Sequence, residues 1–440
     1  MARKRPARTG NPDLRQQKQV PMPPIEEIEQ KIYTLLSPLS FKPLRLSQKE
    51  QNKQFRDRIL TLPVMMAMVV SLVYRQIPGL REVQRVLWEE GLLWVGRIEV
   101  SAQAVSKRLR TLPIELFTQI FQQVMERINN VQPQNQAVPV NWQPVYQRFT
   151  AIWIADGSTL EALRRKLKTL KEQEKTLAGK IMMVVEAFTH QPVTTWYTEN
   201  SKANDKIWCE QLLERLPIGG LLIFDLGFFK FPWFDGFTTA NKFFITRLRE
   251  KTAYNVVCCL SCSQFYRDEI INMGEYRSNP CKQKVRLVSV LWGTTWYYYL
   301  TNVLDPQLLS AQQVCELYRR RWRVEDAFLL TKRLLGLAYI WVGDTNGVQI
   351  QILATWIFYA VLNQLSIDVA IALNQPLDRI STEMVFRALY HFSQAVLRGD
   401  ASDAVPYLVE RQKLFGLVKA RRKRHREIDA YTEQIWAKSS

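Results

Sequence analysis

Two hydrophobic periodicities divide the chain. From residue 25 to about 130, apolar positions recur at three- and four-residue intervals, which predicts helices. IEEIEQKIYTLL, the uncharged segment 59–74, LREVQRVLWEEGLL and LPIELFTQIFQQVMERI all follow this pattern. Among them, SAQAVSKRLRTLP reads as the second helix of a helix-turn-helix, with Ser101 as cap and Ser106, Lys107, Arg108 and Arg110 available to a DNA groove. The stretch NNVQPQNQAVPVNWQP reads as a linker. Beyond it the pattern changes to short apolar strands: FTAIWIADG, KIMMVVEAF and PVTTWYT, followed by an amphipathic helix, DKIWCEQLLERL. Gly219-Gly220 launches the buried strand LLIFDLG, and NKFFITRLR is another strand. Residues 251–303 are strand-rich, with VRLVSVLWG and TWYYYLTNVL the clearest, and the remainder is helical. This order predicts an α/β core with a β-strand insertion, flanked by helical N- and C-terminal regions.

One segment, LYRRRWRVEDAFLLTKRLLG, stands out. Ser310 and Gln313 form a capping box that starts its helix, and Gly336 ends it. At about 100° per residue, Tyr318, Arg321, Glu325 and Lys332 fall within an arc of roughly 60°. Leu317, Val324, Phe328 and Leu335 form an apolar stripe beside them, which puts the polar face at the rim of a core. A carboxylate flanked there by a guanidinium and an ammonium suits a metal-bound phosphate better than open solvent.

Composition narrows the partner. The 440 residues carry a net charge of +19, 13 Trp and 16 Tyr, with 47% hydrophobic residues. That content excludes wholesale disorder, and the cationic excess favours nucleic acid over a membrane surface. The start, MARKRPARTGNPDLRQQKQVPMPP, has no apolar core of a signal peptide and reads as a disordered basic arm. The apolar runs 59–74 and 350–362 fit buried helices better than membrane spans, which points to a cytosolic protein. Six cysteines in so long a chain make no secreted framework. Cys259 and Cys262 form a CxxC beside Cys258, but no second pair or nearby histidine completes a zinc site, so these read as reduced, half-buried strand cysteines.

Two acids follow buried strands directly: Asp156 after AIWIA and Asp225 after LLIF. If those strands are neighbours, both carboxylates emerge at one sheet edge, where α/β folds place chemistry. Glu325 on a covering helix completes a triangle of oxygens. Three hard oxygen donors without histidine or thiolate favour Mg²⁺, or Mn²⁺, in phosphoryl transfer. Each acid also has a plainer reading, as a turn residue for Asp156 and Asp225 and as an i,i+4 partner of Arg321 for Glu325. Glu161, Asp235 and Asp326 are substitutes, although Asp326 points about 100° away from Glu325. Arg164, Arg165, Lys166, Lys168, Lys171 and Lys175 would track a DNA backbone beside the acids.

Tyr318-x2-Arg321-x3-Glu325-x6-Lys332, with Asp156 in IADGSTL and Asp225 in IFDLGFF, resembles the bacterial insertion-sequence DDE transposases that carry the YREK signature, insertion-sequence type four. FFITRLR and YYYLTNVL are similar to the family too, over roughly 100 to 370. Leu226 departs from it, where relatives often carry a polar residue. The resemblance implies an RNase H-like catalytic core over 145–340 with a β-rich insertion at 251–303. A basic arm (1–24), a helical DNA-binding domain (25–130) and a helical C-terminal region suited to dimerisation (341–440) would flank it. It implies Asp156, Asp225 and Glu325 as catalytic metal ligands for Mg²⁺. Tyr318, Arg321 and Lys332 would hold the phosphates, and Trp322 would contact an extruded base with Trp292 or Trp296 as stacking partner. The implied activity is cleavage at terminal inverted repeats and joining of the 3′-hydroxyls to target DNA, by a homodimer acting in the bacterial cytoplasm on the nucleoid. The competing readings are a catalytically inactive DNA-binding protein of transposase descent and an RNase H-like nuclease that cleaves without joining.

Overall fold

The strand segments assemble into a single nine-stranded sheet of order β3-β2-β1-β4-β5-β9-β8-β7-β6. The computed structural model describes residues 59–131 (76 and 78 excepted), 138–160, 179–274, 278–335, 341, 344–420, 432, 435 and 436. The basic arm, the helix expected at IEEIEQKIYTLL, Glu161, the basic run from Arg164 to Lys175, Gly336 and most of KARRKRHR lie outside the described residues.

Four helices lead the described chain: α1 Leu62–Tyr74, α2 Leu80–Glu89, α3 Ala102–Thr111 and α4 Ile114–Val131. The first half of the sheet follows, with β1 Ile152–Thr159, β2 Lys180–Glu186 and β3 Pro192–Thr198 as an antiparallel meander. Helix α5 Cys209–Arg215 then leads to β4 Leu221–Ile223, and α6 Phe231–Thr239 to β5 Phe243–Arg247. β4 runs parallel to β1 and β5 parallel to β4. The insertion, β6 Tyr254–Cys262, β7 Tyr266–Met273, β8 Val285–Trp292 and β9 Thr295–Thr301, is antiparallel throughout and extends the same sheet through β9 on β5. Helices α7 Ala311–Arg320, α8 Arg323–Leu329, α9 Thr345–Ala372, α10 Thr382–Leu397 and α11 Ala404–Glu410 follow, with a last short helical turn at Gln412–Phe415.

Strand alternation gives the sheet two differently packed faces. Ile152 and Ile154 of β1, Leu221 and Ile223 of β4 and Ile245 of β5 point into a core shared with α7, α8 and α9. Ala155, Leu222, Phe224 and Phe244 point the other way, into a core filled by α5 and α6. That second core is aromatic: Phe224 packs on Trp233 at 4.6 Å and Phe234 stacks on Phe244 at 4.9 Å between ring centroids.

The expectation of a helical N-terminal unit meets a different packing. Helices α1 to α4 share the α9 core instead of building their own, because α1 is apolar on every face and is buried almost throughout. Asn346, near the start of α9, donates to the carbonyls of Leu109 and Leu112, both at 2.7 Å, and ties down the end of α3. Ser101 caps α3 by accepting from Ala104 N at 3.1 Å. The α9 helix passes a length-and-hydropathy test for a membrane span, yet the protein itself buries almost all of it. The cysteine reading is corrected: Cys258, Cys259 and Cys262 are exposed, because β6 is the outermost strand of the sheet.

One ion pair anchors the insertion. Arg286 of β8, with no exposed side-chain surface, grips Asp268 of β7 through two hydrogen bonds of 2.7 and 2.6 Å and also donates to the Leu309 carbonyl at 2.6 Å, just before α7. A buried guanidinium stripped of its carboxylate is left uncompensated, so Asp268→Ala is expected to destabilise the fold by about 3–5 kcal/mol. A urea midpoint unchanged from wild type would contradict that assignment.

Candidate active site

Register alone brings Asp156 and Asp225 together. Ile154 pairs with Ile223 in the parallel β1–β4 ladder, and each acid lies two residues further on. Both strands therefore aim their acids at the same face and the same level, just past the last pair. β1 holds Asp156 in extended backbone opposite Met183. β4 ends at Ile223, and Asp225 caps the following 3-10 turn by accepting from Gly227 N at 2.8 Å.

The signature segment lies over this edge, with α7 against β5, β8 and β9, and α8 against β1. It is not one straight helix as its spacing predicts. α7 gives way at Arg321 and Trp322 to a tighter turn, in which Arg321 N donates to Tyr318 O at 3.0 Å and Glu325 N to Trp322 O at 3.2 Å. α8 ends in a π-turn over Leu330–Leu334, where Leu335 N donates to Leu330 O at 3.0 Å. Thr331 Oγ1 satisfies the Ala327 carbonyl there at 2.8 Å. Helix breaks of this kind collect at functional sites. This one lets Arg321 turn inward while Trp322 turns out to 57% exposure.

Arg321 Nη1 reaches Asp156 Oδ2 at 3.2 Å, not Glu325, which corrects the i,i+4 alternative. Its Nε is buried with no hydrogen-bond partner among the described residues. Lys332 Nζ donates to Thr159 O at 2.8 Å and to Ser158 Oγ, which fixes it at the end of β1. The buried Tyr318 ring packs against Tyr299 at 5.2 Å. Glu325 is exposed on α8, close enough for its charge to act on Asp156. Among the described residues no three acids, histidines or cysteines already converge tightly enough to hold a metal ion. The arrangement presents an aspartate pair with a third carboxylate at its rim. Asp326 turns away toward Arg323 at 3.7 Å and Lys419 at 3.9 Å. Asp235 instead accepts from Lys282 N, Gln283 N and Cys281 Sγ.

Burial, at 9% exposure, pushes the Asp156 acid up to about 7; Arg321 opposes the shift, and Asp225 and Glu325 add to it. Asp156 thus lies within range of the charges of both Asp225 and Glu325. Hard carboxylates that repel one another in a half-buried site are a donor set that fits a divalent cation.

Beside the acids lies a cavity of about 390 Å³ walled by Trp292, Tyr297, Tyr299, Tyr318, Trp322 and Trp436, with Arg247, Arg319 and Arg321 among its other lining residues. Of the two stacking candidates, only Trp292 faces it, with the Arg319 guanidinium 5.1 Å from its ring centre. Trp296 falls on the other side of β9, because Tyr297 and Tyr299 take the cavity face, and it lies under Arg267. Of the α3 cations, Lys107 is exposed, whereas Arg108 Nε is spent on the Leu60 carbonyl at 3.0 Å. Sequence reasoning misses Arg247, Arg319, Tyr297 and Trp436: the first three lie inside quoted segments but at none of the signature's fixed positions, and Trp436 lies in no motif. Trp436 in particular arrives from a remote segment and packs on Tyr266 at 5.0 Å.

Residues 148–360 match the family described as Transposase DDE domain. The match covers just under half of the 440 residues. Its span contains both aspartates, the insertion and the whole signature segment. No curated protein matches the chain. A solved chain described as a piggyBac transposase synaptic complex with hairpin DNA is similar at 11% identity, with 93% of this chain and 86% of that chain covered. Its TM-score to this chain is 0.33.

The elevated Asp156 acid has a consequence for stability without divalent cations. A folded value of about 7 above an ordinary value of 3.8 means the native state binds the extra proton, so stability falls as pH rises from about 4 through 7. Asp156→Asn is expected to flatten this decline in melting temperature between pH 5 and 8. An equally steep decline in the variant would move the cause elsewhere.

Proposed function

We propose that the protein is a DNA transposase of the YREK-signature insertion-sequence type, with an RNase H-like core. On this reading it acts as a homodimer in the bacterial cytoplasm, cleaves at the terminal inverted repeats of its element and joins the 3′-hydroxyls to target DNA. The observation that carries the reading is the shared level and face of Asp156 and Asp225 on adjacent parallel strands, with Arg321 reaching over them from the signature segment. Three antiparallel strands followed by two parallel ones, with helices on both faces, support the RNase H-like core. The DDE domain match supports the reaction class, and a net charge of +19 supports a duplex partner.

Asp156 and Asp225 would hold Mg²⁺ or Mn²⁺, with Glu325 supplying the third carboxylate. Bound divalent cations would polarise the attacking hydroxyl and offset charge on the leaving oxygen. The protein's own groups do the positioning. Arg321, with an unengaged Nε, and the Tyr318 hydroxyl offer donors to a phosphate beside the acids. Lys332 adds positive charge at the end of β1. The aromatic cavity has the size and walls to take one unstacked base between Trp292 and Trp322. The N-terminal helices, with Lys107 exposed on α3, would contact duplex further from the cut.

Asp156→Asn, Asp225→Asn and Glu325→Gln should each abolish cleavage of a duplex carrying the element's end while leaving binding in a gel-shift assay largely intact. Turnover close to wild type in any one of them removes that residue from the catalytic set. Trp292→Ala and Trp322→Ala should each weaken binding to an end with one unpaired base by about 1–3 kcal/mol, the value of one base–aromatic stack. Trp296→Ala should not. A loss at Trp296 equal to the other two would refute the assignment of the pocket.

A further inference from the structure

A fourth carboxylate lies behind the two acidic turns, and nothing in the motif points to it. Asp205 opens the 3-10 turn Asp205–Trp208, which Asn204 caps by accepting from Lys206 N at 3.1 Å. Its Oδ1 is 2.7 Å from Lys180 Nζ, and the same ammonium donates to the Ala203 carbonyl at 3.0 Å. Lys180 begins β2 directly opposite Thr159, so the clamp is built on the strand that neighbours β1.

The carboxylate fits against the glycines that follow the two aspartates. A Cβ added to Gly157 would lie 2.1 Å from Asp205 Oδ1. One added to Gly227 would lie 3.0 Å from Asp205 Oδ2 and 2.9 Å from Asp225 Oδ1. Neither glycine has a positive φ, so the backbone does not require glycine at either place. The space does. Asp156 and Asp225 point to one side of the sheet edge, while Asp205 arrives with the turn that packs on the other side through Trp208. Its side chain is only 16% exposed. Burial raises its acid, Lys180 lowers it, and the charge of Asp225 raises it again, which places it in the same field as the pair.

We propose that Asp205, clamped by Lys180, is a positioning residue for a divalent-cation site at Asp156 and Asp225. It braces the Asp156–Gly157 and Asp225–Gly227 turns from behind and adds a negative charge that strengthens cation attraction. The proposal rests on the reading that Asp156 and Asp225 hold the cation. Groups that orient ligands in this way typically change metal affinity 10- to 100-fold when removed.

The test is Mn²⁺ binding to the full chain without DNA, measured by titration calorimetry, with melting temperature as the control for folding. Asp205→Ala should weaken Mn²⁺ binding about tenfold or more. Gly157→Ala, which pushes the carboxylate aside, should reproduce the loss. Asp205→Asn keeps the shape without the charge and decides the matter should the alanine variant fail to fold; it too should bind Mn²⁺ more weakly. Folded Asp205→Asn and Gly157→Ala proteins with wild-type Mn²⁺ affinity would overturn the proposal. Asp156→Asn separates the two readings. If it abolishes Mn²⁺ binding while the Asp205 variants bind normally, only the bracing role falls. If it leaves binding unchanged, the cation site itself is misplaced and the bracing role falls with it.

Discussion

The parallel pairing of β1 with β4 is the constraint on which the site depends. Two aspartates separated by a long stretch of chain become neighbours because Ile154 and Ile223 are ladder partners and each acid lies two residues beyond. Any slip of one residue would turn one acid into the aromatic core on the opposite face. The faces are too different for that slip to be tolerated: isoleucines and leucines meet α8 and α9 on one side, and stacked phenylalanines fill the other. Packing chemistry thus enforces the register, and the register sets the site.

Over that edge the signature segment gives up regular helix geometry in order to bring its side chains to the sheet. The break at Arg321 and Trp322 sends one side chain into a buried ion pair with Asp156 and the other into solvent beside the aromatic cavity. The π-turn that follows accompanies the approach of Lys332 to the end of β1. The back of α8 is equally committed. Asp378 gathers Arg320 at 3.3 Å, Arg323 at 3.7 Å and His190 at 3.6 Å, and burial drives the imidazole down to about 4. The segment is therefore held from both sides. Of its functional candidates Trp322 and Glu325 stand exposed, and the Glu325 charge reaches Asp156.

Much of this was legible in the sequence, for stated reasons. Short continuous apolar runs locate β1, β4 and β5, and a carboxylate directly after the runs of the first two marks the edge. The Ser310–Gln313 capping box formed as its spacing required, with mutual bonds of 3.2 and 2.9 Å. What the sequence could not carry was geometry set by tertiary contact. Helical spacing treated Tyr318 to Lys332 as one straight face, because nothing local reveals that Asp156 will draw Arg321 inward. Trp292 and Trp296 were equivalent until β9 pairing assigned them to opposite sides of the sheet. Asp205 and Trp436 had no local signal, since each matters through a partner far away in the chain. Glycine after each aspartate is a turn signal in the sequence, and its small size also leaves room for Asp205.

On the proposed function, Asp156 and Asp225 form one cation-binding pair. Anomalous diffraction from crystals soaked in MnCl₂ tests it most directly. The expected result is a manganese peak within coordination distance of both carboxylates. Manganese bound elsewhere on the chain, with both aspartates free of it, would contradict the account.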